Sequence, residues 1–323
     1  MRVDRSMRQR RRGVAAAAAA TAAALVAAPW LVDDYTLTLV ARALALGLLA
    51  VSTAVLTGWA GLPSLGQVGP YAAGAYTAAH LARGGTDVGV TQLAAAALAG
   101  AVFAALVGAV MVHARGVTFL LISLIVGVVT ATTAGRWKQV TGGTDGLAGI
   151  PPIRLVWSAP PLTSDRAVYG YVLAVTAGLV AVTVAVLRSP AGLLLAGCRD
   201  NETRMRASGH PVNAYLYLAV VGAGALAGAA GALTVTATGY LSPADLSFDT
   251  AVLVLLAVVI GGATSMAGAL LGAGLIVGTR DWLAGPWPGH APLLLGVLFI
   301  AAVYTRAAGA ITHRIRPPWR EAP

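Results

Sequence analysis

Apolar residues occur in long blocks along this chain, and short polar segments separate the blocks. A block of about 20 mainly apolar residues is long enough to cross the hydrocarbon core of a bilayer as an α-helix. By this criterion the sequence predicts ten membrane segments, at residues 14–32, 37–57, 58–82, 90–112, 116–135, 167–187, 213–237, 250–262, 267–284 and 291–309. The expected fold is therefore all-α, that of a polytopic membrane protein.

Two places in this pattern do not suit a continuous helix. Pro63 and several glycines fall in 58–67, at the start of the third segment, and a Gly-Gly-Ala-Thr-Ser run at 261–265 separates the eighth segment from the ninth. Irregular backbone at membrane depth is tolerated only where it is buried in protein or lines a wet cavity. We therefore expect broken or re-entrant helices at both places.

The composition agrees with a surface that faces lipid. Apolar residues make up 58% of the 323 residues and charged residues only 11%, and the mean hydropathy is +0.78, whereas soluble proteins carry about 25% charged residues. The net charge of +10 would suggest nucleic acid in a soluble protein. Here the basic residues lie in short segments between apolar blocks, which is typical of membrane topology. Because Cys198 is the only cysteine, no internal disulfide can form.

The chain lacks a nucleotide site of the P-loop kind. Such a loop needs a lysine in the pattern G-x-x-x-x-G-K-[ST], and the only lysine, Lys138, lies in Gly-Arg-Trp-Lys-Gln. We therefore expect that this chain cannot hydrolyse ATP by itself. A membrane enzyme is also disfavoured, because the five histidines lie at segment ends or in loops and no H-E-x-x-H motif occurs. The sequence calls for no cofactor and no metal.

The basic residues predict the orientation. An even number of segments places both termini on one side, and the six arginines before residue 13 assign that side to the cytoplasm. With ten segments, fifteen basic residues fall inside and six outside, which supports the count. The predicted parts are a basic cytoplasmic tail at 1–13, a membrane domain at 14–309 and a basic cytoplasmic tail at 310–323. The long loop 136–166 is then outside, and the loop 188–212 is cytoplasmic.

Two positions admit alternatives. The first segment follows a basic start, as the apolar part of a signal peptide does. We expect it to be retained, because Pro29 and Trp30 follow the alanine run without a polar site and a second apolar block begins at once. Arg42 falls within the second segment near its outer end, where we expect the side chain to snorkel towards the interface.

The loop 188–212 is longer than a connection between two spans requires. Its charges have helical spacing, because Glu202 lies three residues from Arg199 and four from Arg206. Pro190 precedes the run and a Gly-His-Pro sequence ends it, and both are signals of helix boundaries. The pattern predicts a short amphipathic helix on the cytoplasmic surface that docks a partner. A solvated loop on the positive side is the alternative.

The same loop carries a resemblance to a known family. Residues 192–213, with Arg199-Asp200-Asn201-Glu202 at their centre, resemble the coupling loop of the branched-chain amino acid ABC permeases, specifically the LivM-like subunit. Four other stretches match in the same order: 61–76 (G-x-x-SLG-[HQ]…GAY), 115–119 (RG-x-x-F), 141–151 (TGG[ST]-x-GL-x-GIP) and 247–268 (S-F…GG-x-G-[ST]-x-x-G). Each match is weak alone, but five in order are strong. The 141–151 loop is the LivM-like feature.

The chain also departs from the family pattern. Leu193 and Ala196 stand where the family usually has basic residues, and Arg206 stands where an acidic one is common. Pro70 replaces a usual aromatic residue, and 47–51 lacks the family's asparagine. Urea and short-amide permeases share the same motifs and are the alternative to an amino-acid permease. A self-contained secondary transporter is less favoured, because all twelve acidic residues fall in predicted loops or at helix edges.

The resemblance implies a subunit of an importer in the bacterial plasma membrane. Its expected partners are two ABC ATPase subunits, a second LivH-like permease subunit, an extracytoplasmic solute-binding protein and the lipid bilayer. ATPase coupling is expected at Gly192, Arg199, Asp200, Asn201, Glu202 and Gly209. The translocation path is expected at the two breaks, with Ser64, Gly66, Gln67, Gly261 and Gly262. Docking of the binding protein is expected at Thr141, Gly142, Gly143 and Asp145.

Overall fold

The computed structural model describes residues 24–155 and 160–282, together with isolated positions between 293 and 304. The predicted tails at 1–13 and 310–323 lie outside the described residues. So does most of the last predicted segment, 291–309, and the first part of the segment 14–32, of which residues 24–31 are helical.

The described elements are helical. They are α1 (Asp34–Ala54, continued by a π-helical turn Val55–Ala60), α2 (Val68–Arg83), α3 (Gly89–Met111), α4 (Gly116–Arg136), α5 (Lys138–Thr141), α6 (Asp165–Arg188), α7 (Pro190–Asp200), α8 (Glu202–Ala207), α9 (Val212–Thr238), α10 (Phe248–Gly261) and α11 (Met266–Val277, continued by a π-helical turn Gly278–Trp282). Short 3-10 turns occur at Gly143–Asp145 and Pro243–Leu246. The described part of the chain contains isolated β-bridges and no strand.

Five of these helices are long and apolar enough to cross a membrane, namely Asp34–Ala60, α3, α4, α6 and α9. The helices next to the two breaks are shorter, with 16 residues in α2, 14 in α10 and 12 in α11. The structure therefore confirms an all-helical, polytopic membrane protein with helices interrupted at both expected places. The number of ten segments and the orientation of the termini stay predictions.

Helices α1 and α9 form the centre of the bundle. In their most apolar windows, 83% of the residues of Asp34–Ala60 and 72% of those of α9 are buried, against 22% for α3 and α4 and 28% for α6. The approach of α9 to α3 is so close that a methyl group on Gly228 would lie 2.3 Å from the carbonyl oxygen of Ala96. Small residues at such contacts let helices pack backbone to backbone where lipid offers no hydrophobic driving force.

The polar connections gather at two ends of the bundle. At one end, which we name the α7 end, lie α7, α8, the turn Val55–Ala60 and the turn between α10 and α11. At the other, which we name the loop end, residues 136–155 contact the turn after α9, where Leu147 and Leu241 exchange two backbone hydrogen bonds. This grouping matches the alternation predicted for the loops 188–212 and 136–166.

Candidate functional site

The loop 188–212 folds as two short helices rather than one. Helix α7 ends at Asn201, whose backbone is extended (φ −157°, ψ 90°). The side-chain oxygen of Asn201 accepts a hydrogen bond of 2.9 Å from the backbone N–H of Arg204, and thereby caps α8. Gly209 follows α8 with a positive φ of 82°. The expectation of a single helix is wrong because Asn201 stabilises a new helix start more readily than a helix interior.

Helix α7 folds back tightly on the end of α6. A methyl group on Gly192 would lie 1.9 Å from the carbonyl oxygen of Leu187, so glycine is required by this close approach. On the same helix, Leu195 and Cys198 are buried. The segment is therefore packed against the membrane helices through α7 and is not a free loop.

Arg199 extends from α7 to the first break. Its Nη1 donates a hydrogen bond of 2.6 Å to the carbonyl oxygen of Gly58, in the π-helical turn that ends α1. Its Nε and Nη2 donate to Asp200 at 3.0 and 2.8 Å. The stem of Arg199 covers Gly61, where an added methyl group would lie 2.8 Å from Arg199 Cγ. The guanidinium thus satisfies a carbonyl that the irregular turn leaves available.

Glu202 is held from the start of α4. Arg115 Nε and Nη2 donate to its two carboxylate oxygens at 2.7 and 3.0 Å, a bidentate pair, and Arg206 Nη2 donates at 2.7 Å. Both arginines also donate to the side-chain oxygen of Asn213 at 2.8 Å. The hydrogen bond from Arg115, more than any other interaction, holds the pKa of the Glu202 carboxyl below its usual range.

The arrangement agrees with the expected pairing of Glu202 with Arg206 but not with a shared helix face for Arg199 and Glu202. The i,i+4 pair of Glu202 with Arg206 is present, as the spacing predicts. Arg199 and Glu202 do not share a helix face, because the extended Asn201 separates the two helices. Arg199 therefore faces the break, and Glu202 faces Arg115.

The two breaks touch each other at the α7 end. A methyl group on Gly58 would lie 1.8 Å from the carbonyl oxygen of Ala263, so the first break packs directly on the second. Within the second break, Gly262 has a positive φ of 99°, and a methyl group on Gly261 would lie 1.9 Å from the carbonyl oxygen of Gly268. Arg199, Gly58 and Ala263 thus form a continuous chain of contacts.

The other predicted path residues are buried near the centre of the bundle. Gln67 Oε1 lies 2.9 Å from the hydroxyl of Ser52, which also lies 2.8 Å from the carbonyl of Ala223. The backbone N–H of Gly66 donates to Ser64 at 3.2 Å. The cavity beside these residues has a volume of about 20 Å³, which accommodates one water molecule. In this conformation they line no passage wide enough for an amino acid, and their role in translocation stays a prediction.

The four predicted docking residues differ in exposure. Thr141 and Gly143 are buried, and the Thr141 hydroxyl, which has one proton to donate, lies 2.5 and 2.7 Å from the carbonyl oxygens of Ala134 and Trp137. Gly142 has a positive φ of 76° and ends α5. Asp145 has an exposed side chain, and its carbonyl accepts a hydrogen bond of 2.9 Å from Tyr240. Its role in docking stays a prediction.

A separate cavity of about 370 Å³ lies between α1, α2, α10 and α11 at the loop end. Arg42 lines it, together with acidic side chains of the turns at both ends of the α10–α11 unit. The side chain of Arg42 is exposed and lines this cavity, and its snorkelling to the interface stays a prediction. Among the described residues, those of the cavity included, no three His, Cys, Asp or Glu side chains are grouped so that they could hold a metal ion.

Comparisons with known proteins agree with this architecture. The chain matches the family described as "Branched-chain amino acid transport system / permease component" over residues 35–303. The chain belongs to this family. It is 28% identical over 301 residues to the high-affinity branched-chain amino acid transport system permease protein LivM of Escherichia coli (strain K12). The alignment covers 87% of this chain and 69% of that protein.

A second relative is the protein of the same description from Salmonella typhimurium, 27% identical with the same coverage of both chains. No solved structure matches the chain. The LivM-like resemblance is thus confirmed, and with it an ABC-type permease of the branched-chain amino acid family. Its relatives are permease subunits of transport systems.

Several polar residues of these contacts were not among the predicted ones. Arg115 belongs to the recognised RG-x-x-F stretch, yet its partner Glu202 is 87 residues away in the sequence. Ser52 and Ser123 occur in apolar blocks with no pattern around them, and Ser123 Oγ accepts a 3.0 Å hydrogen bond from the backbone of Leu65. A basic residue directly before an apolar span is the one signal that could have singled out Arg115.

Proposed function

We propose that this chain is the permease subunit of an ABC importer for branched-chain or related amino acids in the bacterial plasma membrane. The family match over residues 35–303 carries this proposal. The α7 end supports it, because a two-helix segment there is packed on the membrane helices and bears exposed charges. An importer driven by separate ATPase subunits needs such a surface.

The partners follow from the same family. Two ABC ATPase subunits would bind the α7 end, a second LivH-like permease subunit would complete the path, and an extracytoplasmic solute-binding protein would deliver the solute. Asp145 is the predicted docking residue with an exposed side chain, so we assign the binding-protein contact to its surroundings. With the ATPases at the α7 end and the binding protein at the loop end, the α7 end would be cytoplasmic and the loop end outside, and the chain would cross the membrane ten times.

The coupling segment, residues 188–212, would act as a lever. When the ATPases close, they would push α7 and α8 against the bundle. Arg199 would pass the displacement to the carbonyl of Gly58, and Gly58 would pass it to Ala263, because these groups are in contact. Arg115 would hold α8 to the start of α4 through Glu202. Both breaks would then move together, and the buried groups around Gln67 would part to open the path.

Transport by the reconstituted complex tests the proposal. The chain is co-expressed with candidate ATPase, second-permease and binding-protein subunits from the same genome, and the complex is placed in proteoliposomes. We expect uptake of leucine that requires ATP, the binding protein and this chain, and that isoleucine and valine inhibit by competition. Competition by urea or acetamide, and none by isoleucine or valine, would replace the proposal with a urea or short-amide permease. ATP-independent uptake by this chain alone would favour a secondary transporter.

A further inference from the structure

The cavity of about 370 Å³ at the loop end has charged side chains of both signs around it. Arg42 comes from α1, Asp249 from the first turn of α10, and Arg280 and Asp281 from the π-helical turn after α11. Asp245, in the 3-10 turn before α10, is the fifth charged group. The volume of the cavity falls within the range of about 300–1,000 Å³ that is usual for small-molecule sites.

These charges have not neutralised one another. All five side chains belong to the described residues, and no ion pair joins any two of them. Asp245 has a structural role, because its carboxylate accepts a 3.1 Å hydrogen bond from the backbone N–H of Ser242. Arg42, Asp249 and Arg280 are exposed and Asp245 and Asp281 are half-buried, so these charges face an open space that a polar ligand can enter. A metal ion is an unsuitable occupant, because the acidic side chains are not grouped as metal ligands.

On three helices around the cavity, an aliphatic side chain lies one helical turn deeper than a charged side chain of the same helix. Along α1, α10 and α11 respectively, Arg42 is four residues from Leu46, Asp249 four from Leu253, and Arg280 four from Ile276, and all six residues line the cavity. In each pair the aliphatic residue is the one farther from the loop end, by about 6 Å at 1.5 Å per residue. Between the helices, Gly47 packs on Leu270, and Gly272 packs on Ala257. These contacts place Asp249 and Arg280 at the mouth of the cavity and Arg42 about one turn deeper, level with Leu253 and Ile276.

We propose that this cavity binds a zwitterionic aliphatic α-amino acid, with its carboxylate towards Arg42 and Arg280, its ammonium towards Asp249 and Asp281, and its side chain among Leu46, Leu253 and Ile276. A zwitterion satisfies both signs of charge at once, whereas an anion, a cation or a neutral amide leaves one sign without a partner. The three aliphatic residues suit a ligand with a branched side chain. The inference rests on the proposed function and names a first site on the outer half of the path.

Protection of a cysteine in the cavity tests this site directly. Thr250 lines the cavity, and the only native cysteine is Cys198, so Thr250→Cys in a Cys198→Ala background gives a single thiol in this chain. The complete complex in lipid nanodiscs is treated with a maleimide, and the labelling rate of this chain is read from its intact mass. We expect leucine to slow labelling in a saturable way. Leucinamide, which lacks the carboxylate, and 4-methylpentanoate, which lacks the ammonium, should each be about tenfold weaker or worse.

The role of the charged side chains is tested with Arg42→Gln and Asp249→Asn. The labelling rate of each variant with leucine is compared with the rate of the same variant without leucine. Both should weaken protection by leucine about tenfold or more. Arg166→Gln is the matched control, because Arg166 is exposed, lies at the same end of the bundle and does not line the cavity; it should leave protection unchanged. Ser247→Cys, which also lines the cavity, is a second reporter should Thr250→Cys fail to assemble.

The outcomes separate this inference from the proposed function. If the complex takes up leucine but leucine protects neither reporter cysteine up to its solubility limit, the cavity site is rejected and the proposed importer function is retained. Equal protection by leucine and its two analogues would also overturn it. Protection by leucine in a complex that does not transport leucine would support the site and reject the importer.

Discussion

The coupling segment at the α7 end and the cavity at the loop end use charge in opposite ways. In the coupling segment both acidic side chains are paired within the chain, since Arg115 and Arg206 hold Glu202, and Arg199 holds Asp200 while it also donates to the carbonyl of Gly58. Around the cavity at the loop end, two arginines and three aspartates surround one space and none pairs with another of the five.

This difference has a physical meaning. Charge-assisted hydrogen bonds fix the relative position of the groups that they join, so the α7 end is suited to transmit a displacement. Charges that face a cavity without partners of their own interact with water or with a ligand, so the loop end is suited to recognise one. Under the proposed function, the same residue types would serve force transmission in the coupling segment and ligand binding in the cavity.

The replacement Gly58→Ala should have the largest effect on stability and transport, because it disrupts the contact between the two breaks. The added methyl group would lie 1.8 Å from the carbonyl oxygen of Ala263, a backbone atom that cannot rotate away. We expect a loss of about 1–3 kcal/mol of stability, as for an overpacked core, together with loss of leucine uptake. Thermal melting of the purified complex and uptake into proteoliposomes measure the two effects. Gly222→Ala, where nothing lies within 4 Å, is the control, and equal results for the two variants would refute the contact between the breaks.

Removal of Arg115 should have the next largest effect. Arg115→Gln leaves Glu202 with Arg206 alone, and we expect a loss of about 1–2 kcal/mol, at the low side for hydrogen bonds to charged groups because the two side chains are 30% and 29% exposed. Arg115→Lys should restore only part of this, since lysine cannot form the bidentate pair. Melting temperatures at neutral pH check the order. Arg188→Gln, an exposed arginine at the same end, should change little, and a drop as large as that of Arg115→Gln would contradict the assignment.

The pH dependence of the same cluster gives a smaller effect of known sign. Because Arg115 holds the pKa of Glu202 below its usual range when the chain is folded, the carboxylate stabilises the fold at pH values above the ordinary glutamate pKa. That stabilisation is lost as the pH falls through the lowered folded-state pKa. The melting difference between the native chain and Glu202→Gln should therefore be constant from neutral pH to about pH 5 and shrink on further acidification. A difference that grows towards acid would have the wrong sign.

The smallest stability effect is expected at the loop end. Arg42→Gln removes a charge that pairs with none of the other four charges around the cavity, so the melting temperature should correspond to a change within about 0.5 kcal/mol. A loss comparable to that of Arg115→Gln would erase the contrast between the two ends, because it would mean that Arg42 has a structural role.

Much of the fold was predictable from the sequence, because apolar blocks of about 20 residues have few alternatives to spanning helices. The boundaries of α3, α4, α6 and α9 lie within two residues of those expected from the apolar blocks. Gly58 and Gly262 lie at the breaks that their sequence indicates. Local pattern is sufficient for these features, since each depends on neighbouring residues.

Contacts between distant segments were not predictable. The bond from Arg199 to Gly58 joins residues 141 apart, and that from Arg115 to Glu202 joins residues 87 apart. The spacing of Arg199 and Glu202 suggested one helix face, and the capping preference of Asn201 prevailed over it. The cavity that Arg42 and Asp249 line likewise depends on how α1 packs on α10. The local sequence around either residue does not determine this packing.

We propose that Arg199 transmits the movement of the coupling segment to the breaks, and the number of leucine molecules imported per ATP hydrolysed measures this transmission. Arg199→Gln removes the donor to Gly58, while Arg204→Gln makes the same change of charge in an exposed side chain of the same segment. We predict that Arg199→Gln retains the ATPase subunits and hydrolyses ATP, but imports about tenfold less leucine per ATP or worse, and that Arg204→Gln keeps the native ratio. A native ratio in Arg199→Gln would show that Arg199 does not transmit the movement.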